Sequence, residues 1–383
     1  VVCAEFDERT WDATEAVLAA HATLLIGGKS GGAGLMLVGP SSSGKTTVLS
    51  FFEGLDNQVY RSDDLTPASF VSHDASKSDD HLAKIDLLPK IRQKTLISRD
   101  MSTWFAGEQE HIHKRMSNMT HLLDGQGFLR DSGSHGRRGY EGDEYRFNFV
   151  GATTPLQPRA WRVMGNVGNR LLFHEKRGES DTRSAVDDIV DGSEYGSKVG
   201  RCREAVHAFL DRLWREYGGF GSVAWEVGAD EAVKSALDYL AEVVRYARAT
   251  FNGEGVSREG PHRIIGALYD IARGHAILCG RDRVVIDDLQ VCARIALSTM
   301  PAKRRPVVQE LLNPVNGSRL SSGQLEAAAR VSRPTAHNRM EELATLGFAR
   351  LSENDDDGRG TKQLELLPNF EWPDSLGFPE FRS

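Results

Sequence analysis

Gly39-Pro40-Ser41-Ser42-Ser43-Gly44-Lys45-Thr46 follows the pattern G-x-x-x-x-G-K-[ST], directly after the apolar run Leu35–Val38. Strand, glycine-rich turn and helix is the context in which this spacing holds a polyphosphate. The glycines let backbone N–H groups turn inward around phosphate oxygens, and the following helix presents its positive end to them. Lys45 would then neutralise charge on the outer phosphates and the Thr46 hydroxyl would ligate Mg2+, with Thr47 next along the same first turn.

Chemistry on such a loop needs an acid at the end of a neighbouring strand to hold the metal shell. Lys94-Thr95-Leu96-Ile97-Ser98-Arg99-Asp100 reads as a strand ending in that acid. The usual arrangement is four apolar residues followed by two acids, the second polarising the attacking water. Here Ser98 and Arg99 break the apolar run, and Met101 stands where the second acid belongs. Asp100 is therefore assigned to the metal with Thr46, against the alternative of a helix cap or surface acid. Glu108 or Glu110 is left as the source of a base.

These residues have to be positioned by strands and helices. Residues 8–26 carry Trp11, Val17, Leu18, Leu24 and Leu25 at helical spacing. After Leu35–Val38, strand-like runs recur at Gln58–Arg61, Thr95–Ser98, Phe147–Val150 and Leu171–Phe173, separated by helical or loop-like stretches. Alternation of that kind predicts an α/β domain on a parallel sheet. Residues 177–200, rich in Gly, Ser and Asp, read as a linker or exposed loop. From about 201 to 300 the spacing is helical, ending in a helix over Asp287–Leu297. The predicted division is a nucleotide-binding core over 1–180, a linker and helical unit over 181–302, and a small third domain over 303–383.

The 383 residues carry a formal net charge of −7, so a contact with nucleic acid would need a local basic element rather than the whole surface. There is no apolar run of about 18 residues, so no membrane contact is expected. The four cysteines are scattered without a C-x-x-C pair, which argues against a disulfide framework or a zinc site of that spacing. No charged segment followed by an apolar one opens the chain, and a cytoplasmic setting is expected.

With the loop and acid in place, roughly residues 1–300 resemble the AAA+ superfamily of P-loop ATPases. The resemblance implies ATP and Mg2+ as ligands and an oligomer, for instance a ring. Phe147-Asn148-Phe149-Val150-Gly151-Ala152-Thr153-Thr154-Pro155 looks like that family's sensor strand, with Thr153 or Thr154 near the γ-phosphate, where the family usually has Asn. Arg170 sits where such proteins carry an arginine finger offered to a neighbouring subunit. Arg263 opens a helix in the lid-like region, where sensor arginines touch the nucleotide. Val284-Val285-Ile286 resembles a short strand-like entry to the last lid helix.

Between Asp100 and Thr153, residues 124–149 resemble the hairpin that one AAA+ branch, including the MCM helicases, carries before the sensor strand. His135, Arg137 and Arg138 in its glycine-rich turn suit phosphate contact, and pairing with Glu141, Asp143 and Glu144 is the alternative. Residues 318–366 resemble a winged helix. Arg333, His337 and Arg339 lie near the start of its second helix, where recognition helices meet DNA. From Lys303 to Ser383 there are 11 Lys/Arg and 12 Asp/Glu, and Asp355-Asp356-Asp357 fall at the wing tip. DNA contact and protein docking both stay open for this module. The expected activity is that of an ATPase remodelling nucleic acid, helicase-like or loader-like. A slowly hydrolysing assembly switch and a protein-remodelling ATPase are the rivals.

Overall fold

A computed structural model describes residues 1–29, 31–72, 77–132, 136–168, 170–178, 190, 194–225, 228–252, 255–354 and 361–379. His135 and the residues Asp355, Asp356 and Asp357, expected at a wing tip, lie outside the described residues. The chain is a mixed α/β protein built on one parallel sheet. Its strands are β1 (Gly34–Val38), β2 (Val59–Arg61), β3 (Thr95–Ser98), β6 (Asn148–Thr153) and β7 (Leu171–Glu175), while β4 (Gly127–Ser132) and β5 (Gly136–Glu141) form a separate hairpin. The sheet order is β2-β3-β6-β1-β7, and every pairing is parallel.

A parallel strand buried on both faces must be apolar along its whole length, and β1 is. Leu35 and Leu37 point into one core with Val150, Ala152 and Leu172, beneath helix α1 (Glu8–Ala22). Met36 and Val38 point into the other with Leu96, Phe149 and Phe173. That second core also takes in Met116 and Trp161, from the later helices Gln109–Leu123 and Pro158–Val167. The two-residue period of the strand thus serves two cores at once. Helix α2 (Lys45–Ser50) follows the Gly39–Gly44 turn; the next two labels, α3 and α4, are given to Gln109–Leu123 and Pro158–Val167.

Beyond the sheet come α5 (Tyr195–Tyr217), α6 (Glu231–Arg248), α7 (Pro261–Leu278) and α8 (Leu289–Ser298). A small hairpin of β8 (Thr250–Asn252) and β9 (Gly255–Ser257), not read from the sequence, joins α6 to α7. The strand-like entry expected at Val284–Ile286 is not a strand. Val284 is buried in the core and the chain goes straight into a 3-10 turn at Ile286–Asp288, so its apolar run reflects packing. Among the described residues, no helix is long and apolar enough to cross a membrane.

The last unit runs α9 (Arg305–Leu312), β10 (Arg319–Ser321), α10 (Ser322–Ala329), α11 (Arg333–Leu346), β11 (Ala349–Asn354) and β12 (Thr361–Leu366), with sheet order β10-β12-β11. A capping box between Ser321 and Gln324 starts α10, and Pro334 opens α11. This unit shares the first core with the helical region. Phe348 and Phe370 stack edge-on against Tyr246 of α6, and Trp372 against Tyr239. Arg304 locks the join, donating to the carbonyls of Ala247 (2.8 Å) and Ala249 (2.6 Å) and to Glu342 (2.7 Å).

Candidate functional site

Gly39–Thr46 leaves the C-terminal end of β1 at the centre of the sheet and turns into α2. A side chain at Gly39 would put its Cβ 2.1 Å from the Lys176 carbonyl oxygen, so only glycine fits there. Gly44 adopts φ +83°, and Ser42, which is not glycine, is held at φ 62°. A non-glycine residue in that region is backbone strain of the kind kept at ligand loops. Lys45 is turned into its own loop, its Nζ donating to Gly39 O (2.9 Å), Pro40 O (2.6 Å) and Ser43 Oγ (3.2 Å). Burial lowers its pKa, and the Asp100 carboxylate opposes that, so the two groups sense one another across the site. Ser41, Ser42 and Thr46 are exposed beside it.

Strand order brings the other tips to the same edge. β6 lies between β1 and β3, with Val38 opposite Thr153, the Gly39 amide on Thr153 O (3.3 Å) and the Met101 amide on Ala152 O (2.7 Å). Thr153 is buried and its hydroxyl donates to Thr154 O, whereas Thr154 is exposed; of the two, Thr154 has the accessible hydroxyl. Asp100 is exposed and accepts the Ser102 amide through one oxygen (2.8 Å). That bond ties the end of β3 to the start of the turn Ser102–Phe105. Met101 is only 2% exposed, against Gly151 and Met36, so no base stands there. Arg99 is accounted for by Asp63, on which it donates at 3.1 Å. Glu108 and Glu110 are both exposed.

Arg170 and Arg263 are placed elsewhere. Arg170 precedes β7, at the N-terminal edge of the sheet, and forms an ion pair with Asp124. Arg263 donates to Gly168 O at 2.7 Å, just before the same strand. The length of β1, about 13 Å, separates this edge from the Lys45 loop. A sensor role for Arg263 on its own chain's nucleotide is therefore corrected: helix α7 docks on α1 so that its start faces the opposite edge. Both arginines line one cleft of about 450 Å3 with Gly31, Gly34, Arg248 and Arg273. Arg248 is committed to Glu259 (3.2 Å) and Arg273 to Asp270.

The hairpin also departs from expectation. Arg137 and Arg138 are not in its turn but in β5, opposite Asp131 and Arg130. Arg138 reaches back to Asp86, whose side chain is fully buried, at 2.6 Å, and to Ser72 O. Tyr140 donates to the same carboxylate at 2.7 Å, and Ser72 does so through both its amide and hydroxyl. Despite burial, these donors hold the Asp86 carboxyl below its ordinary pKa. Arg138 is thus removed from the nucleic-acid set: its guanidinium is an anchor for the hairpin. Arg137, 63% exposed, pairs with Glu141 (3.0 Å). Arg138→Ala should cost about 3–5 kcal/mol because it leaves a buried carboxylate without its cation. Arg137→Ala should cost about 0–1 kcal/mol. Urea unfolding of the two variants compares them, and equal small losses would refute the anchoring role.

In the C-terminal unit, Arg333 is 48% exposed and only loosely paired with Glu326 (3.8 Å). His337 and Arg339 are half-buried on the same helix, and His337 Nε2 is buried without a hydrogen-bond partner. The acids that follow are neutralised, Glu341 by Lys362 (2.6 Å) and Glu342 by Arg304. The N-terminal half of α11 is left basic.

Lys176 was not singled out by its sequence position. Its amide donates to Val38 O (2.9 Å) and its buried side chain lies behind Gly44. No spacing rule marks a lysine that follows the last strand.

No protein-family model matches this chain, and no curated protein matches it. Among solved structures, it is similar to a full-length MCM homolog from Methanopyrus kandleri, with 15% identity and a TM-score of 0.43, over 77% of this chain and 59% of that one. This chain thus spans about three-fifths of that protein's length.

Proposed function

We propose that the protein is an ATP-binding AAA+ ATPase that uses Mg2+, assembles with copies of itself and remodels nucleic acid. The observation that carries this is convergence: the Lys45 loop, Asp100 and Thr154 sit at the same ends of adjacent parallel strands, near enough for Asp100 to act on the Lys45 ammonium. In this reading residues 39–47 hold the phosphates and Asp100 with Thr46 holds the metal. Residues 1–180 are the nucleotide core, 181–302 the linker and lid, and 303–383 a winged helix. Arg170 and Arg263, unable to reach their own loop, serve a neighbouring subunit.

Nucleic acid rather than protein is favoured for the C-terminal unit by the basic start of α11, whose acids are already paired. Arg333→Ala should weaken binding to duplex DNA several-fold and lower the slope of log K against log salt by about one. Fluorescence anisotropy at several salt concentrations measures both, and an unchanged slope would assign this helix to protein docking.

A second reading is supported by Met101: with that position closed, ATP would drive assembly and be hydrolysed slowly. Steady-state ATP hydrolysis by the purified protein, with and without DNA and beside Asp100→Ala, separates the two. DNA-stimulated turnover that is lost in the variant supports the motor. Tight binding with negligible turnover supports the switch, and absence of ATP binding refutes both.

A further inference from the structure

At the end of α7, away from the phosphate loop, three unlike donors meet. His275 and Cys279 are four residues apart and so share one helix face. Asp288, fully buried at the end of the 3-10 turn, comes to meet them from the other side. One nitrogen of His275, the Cys279 sulfur and one Asp288 oxygen all lie within 4.8 Å of one another. His275 Nδ1 is 2.7 Å from Asp288 Oδ1 and 4.0 Å from Cys279 Sγ.

The surroundings are those of a ligand set. His275 Nε2 faces Glu15 Oε1 at 3.5 Å, and Glu15 is itself held by Arg294. A carboxylate on the far nitrogen favours the proton there, so that Nδ1 is the nitrogen that would coordinate once its own proton is displaced. Asp288 Oδ2 accepts the Val285 amide at 2.8 Å, which orients the carboxylate and leaves Oδ1 inward. Arg281 lies on that same oxygen, so a cation already occupies the place. Its side chain is 33% exposed and also bonds Cys279, so an incoming ion would have to displace it from both donors. An open groove of about 350 Å3, lined by Trp11, Glu15 and Phe209, reaches His275 and Cys279.

We propose that His275, Cys279 and Asp288 bind a thiophilic divalent transition-metal ion of the zinc type, with water in the fourth position. One nitrogen, one thiolate and one carboxylate oxygen is a borderline-soft set that suits such an ion and not Mg2+. Zinc distances of about 2.0–2.3 Å require donors about 3.3–3.6 Å apart. The sulfur and nitrogen must close by a few tenths of an ångström, and the nitrogen and oxygen must open by somewhat more. Burial lowers the proton affinity of His275, but hydrogen bonds to Asp288 and Glu15 overcome this and bring its pKa up to about 9. The incoming ion would therefore replace a proton on Nδ1, the thiol proton and the Arg281 guanidinium. Once bound, it would clamp the loop between α7 and α8 to the end of α7.

Titration of the nucleotide-free 383-residue chain with Co2+ tests this. One equivalent should bind with a thiolate-to-cobalt charge-transfer band, and Zn2+ should displace it. Cys279→Ser should lose the band and weaken binding at least ten-fold, whereas Cys3→Ser should keep it. Arg281→Ala should bind several-fold more tightly, because the competing cation is gone. A cobalt spectrum without a thiolate band, or a band that survives Cys279→Ser, would overturn the proposal and leave the cluster an ion-pair network.

Discussion

Replacing Lys45 by alanine should weaken ATP binding on the order of 1,000-fold, while the nucleotide-free chain stays folded. The ammonium is satisfied by Gly39 O, Pro40 O and Ser43 Oγ, all neutral acceptors. Phosphate oxygens would replace them with charge-assisted bonds. For unit charges about 4 Å apart at an effective dielectric near 20, the attraction is about 4 kcal/mol, and every 1.4 kcal/mol is tenfold in affinity. The same substitution in the free protein strands two carbonyls, costing about 1–3 kcal/mol, too little to unfold the sheet. Lys45→Arg should rescue poorly, since a planar guanidinium cannot enter a hole walled by the loop's own carbonyls. Calorimetric titration with ATP, beside a thermal melt of each variant, decides it. Affinity within tenfold of the parent, in a folded variant, would contradict the phosphate role of the loop.

What the sequence made legible was whatever depends on neighbours along the chain. The turn at Gly39–Thr46 between β1 and α2 is one, because eight consecutive residues dictate its shape. The end of β3 at Asp100 is another, as are the starts of α7, α10 and α11, each marked by Pro or a capping box. Features set by partners distant in the chain were not legible. Arg99 looked like an intrusion into an apolar strand until Asp63, 36 residues earlier, came to lie beside it. Arg138 looked like a basic tip because Asp86, 52 residues earlier, is invisible to local reading. The start of α7 was identified, but the edge of the sheet it faces depends on how α7 packs on α1, and no periodicity encodes that.

Two inactive variants should restore one another when mixed. Arg170 and Arg263 lie at the sheet edge opposite the phosphate loop, and the intervening strand is too long for either side chain to span. If they act on phosphates at all, those phosphates belong to another subunit, and the contact is the head-to-tail kind that closes into a ring. Arg170→Ala should then leave ATP affinity nearly unchanged and lower kcat about 1,000-fold, since a finger arginine stabilises charge that develops only in the transition state. Arg263→Ala should lower it in the same direction. Lys45→Ala is dead for the complementary reason, with an intact finger and no bound nucleotide. In an equal, freely exchanging mixture of Lys45→Ala and Arg170→Ala chains, about a quarter of the interfaces in a head-to-tail ring join a sound loop to a sound finger. ATP hydrolysis should therefore return to about that fraction of the parent rate, with each interface working alone. The free subunit already shows what has to give way: Arg170 is held by Asp124, and docking must exchange that carboxylate for the neighbour's phosphate. A mixture that stays as inactive as its components, while sedimentation shows mixed assemblies, would mean that Arg170 does no work across an interface. Its pairing with Asp124 would then be its whole role.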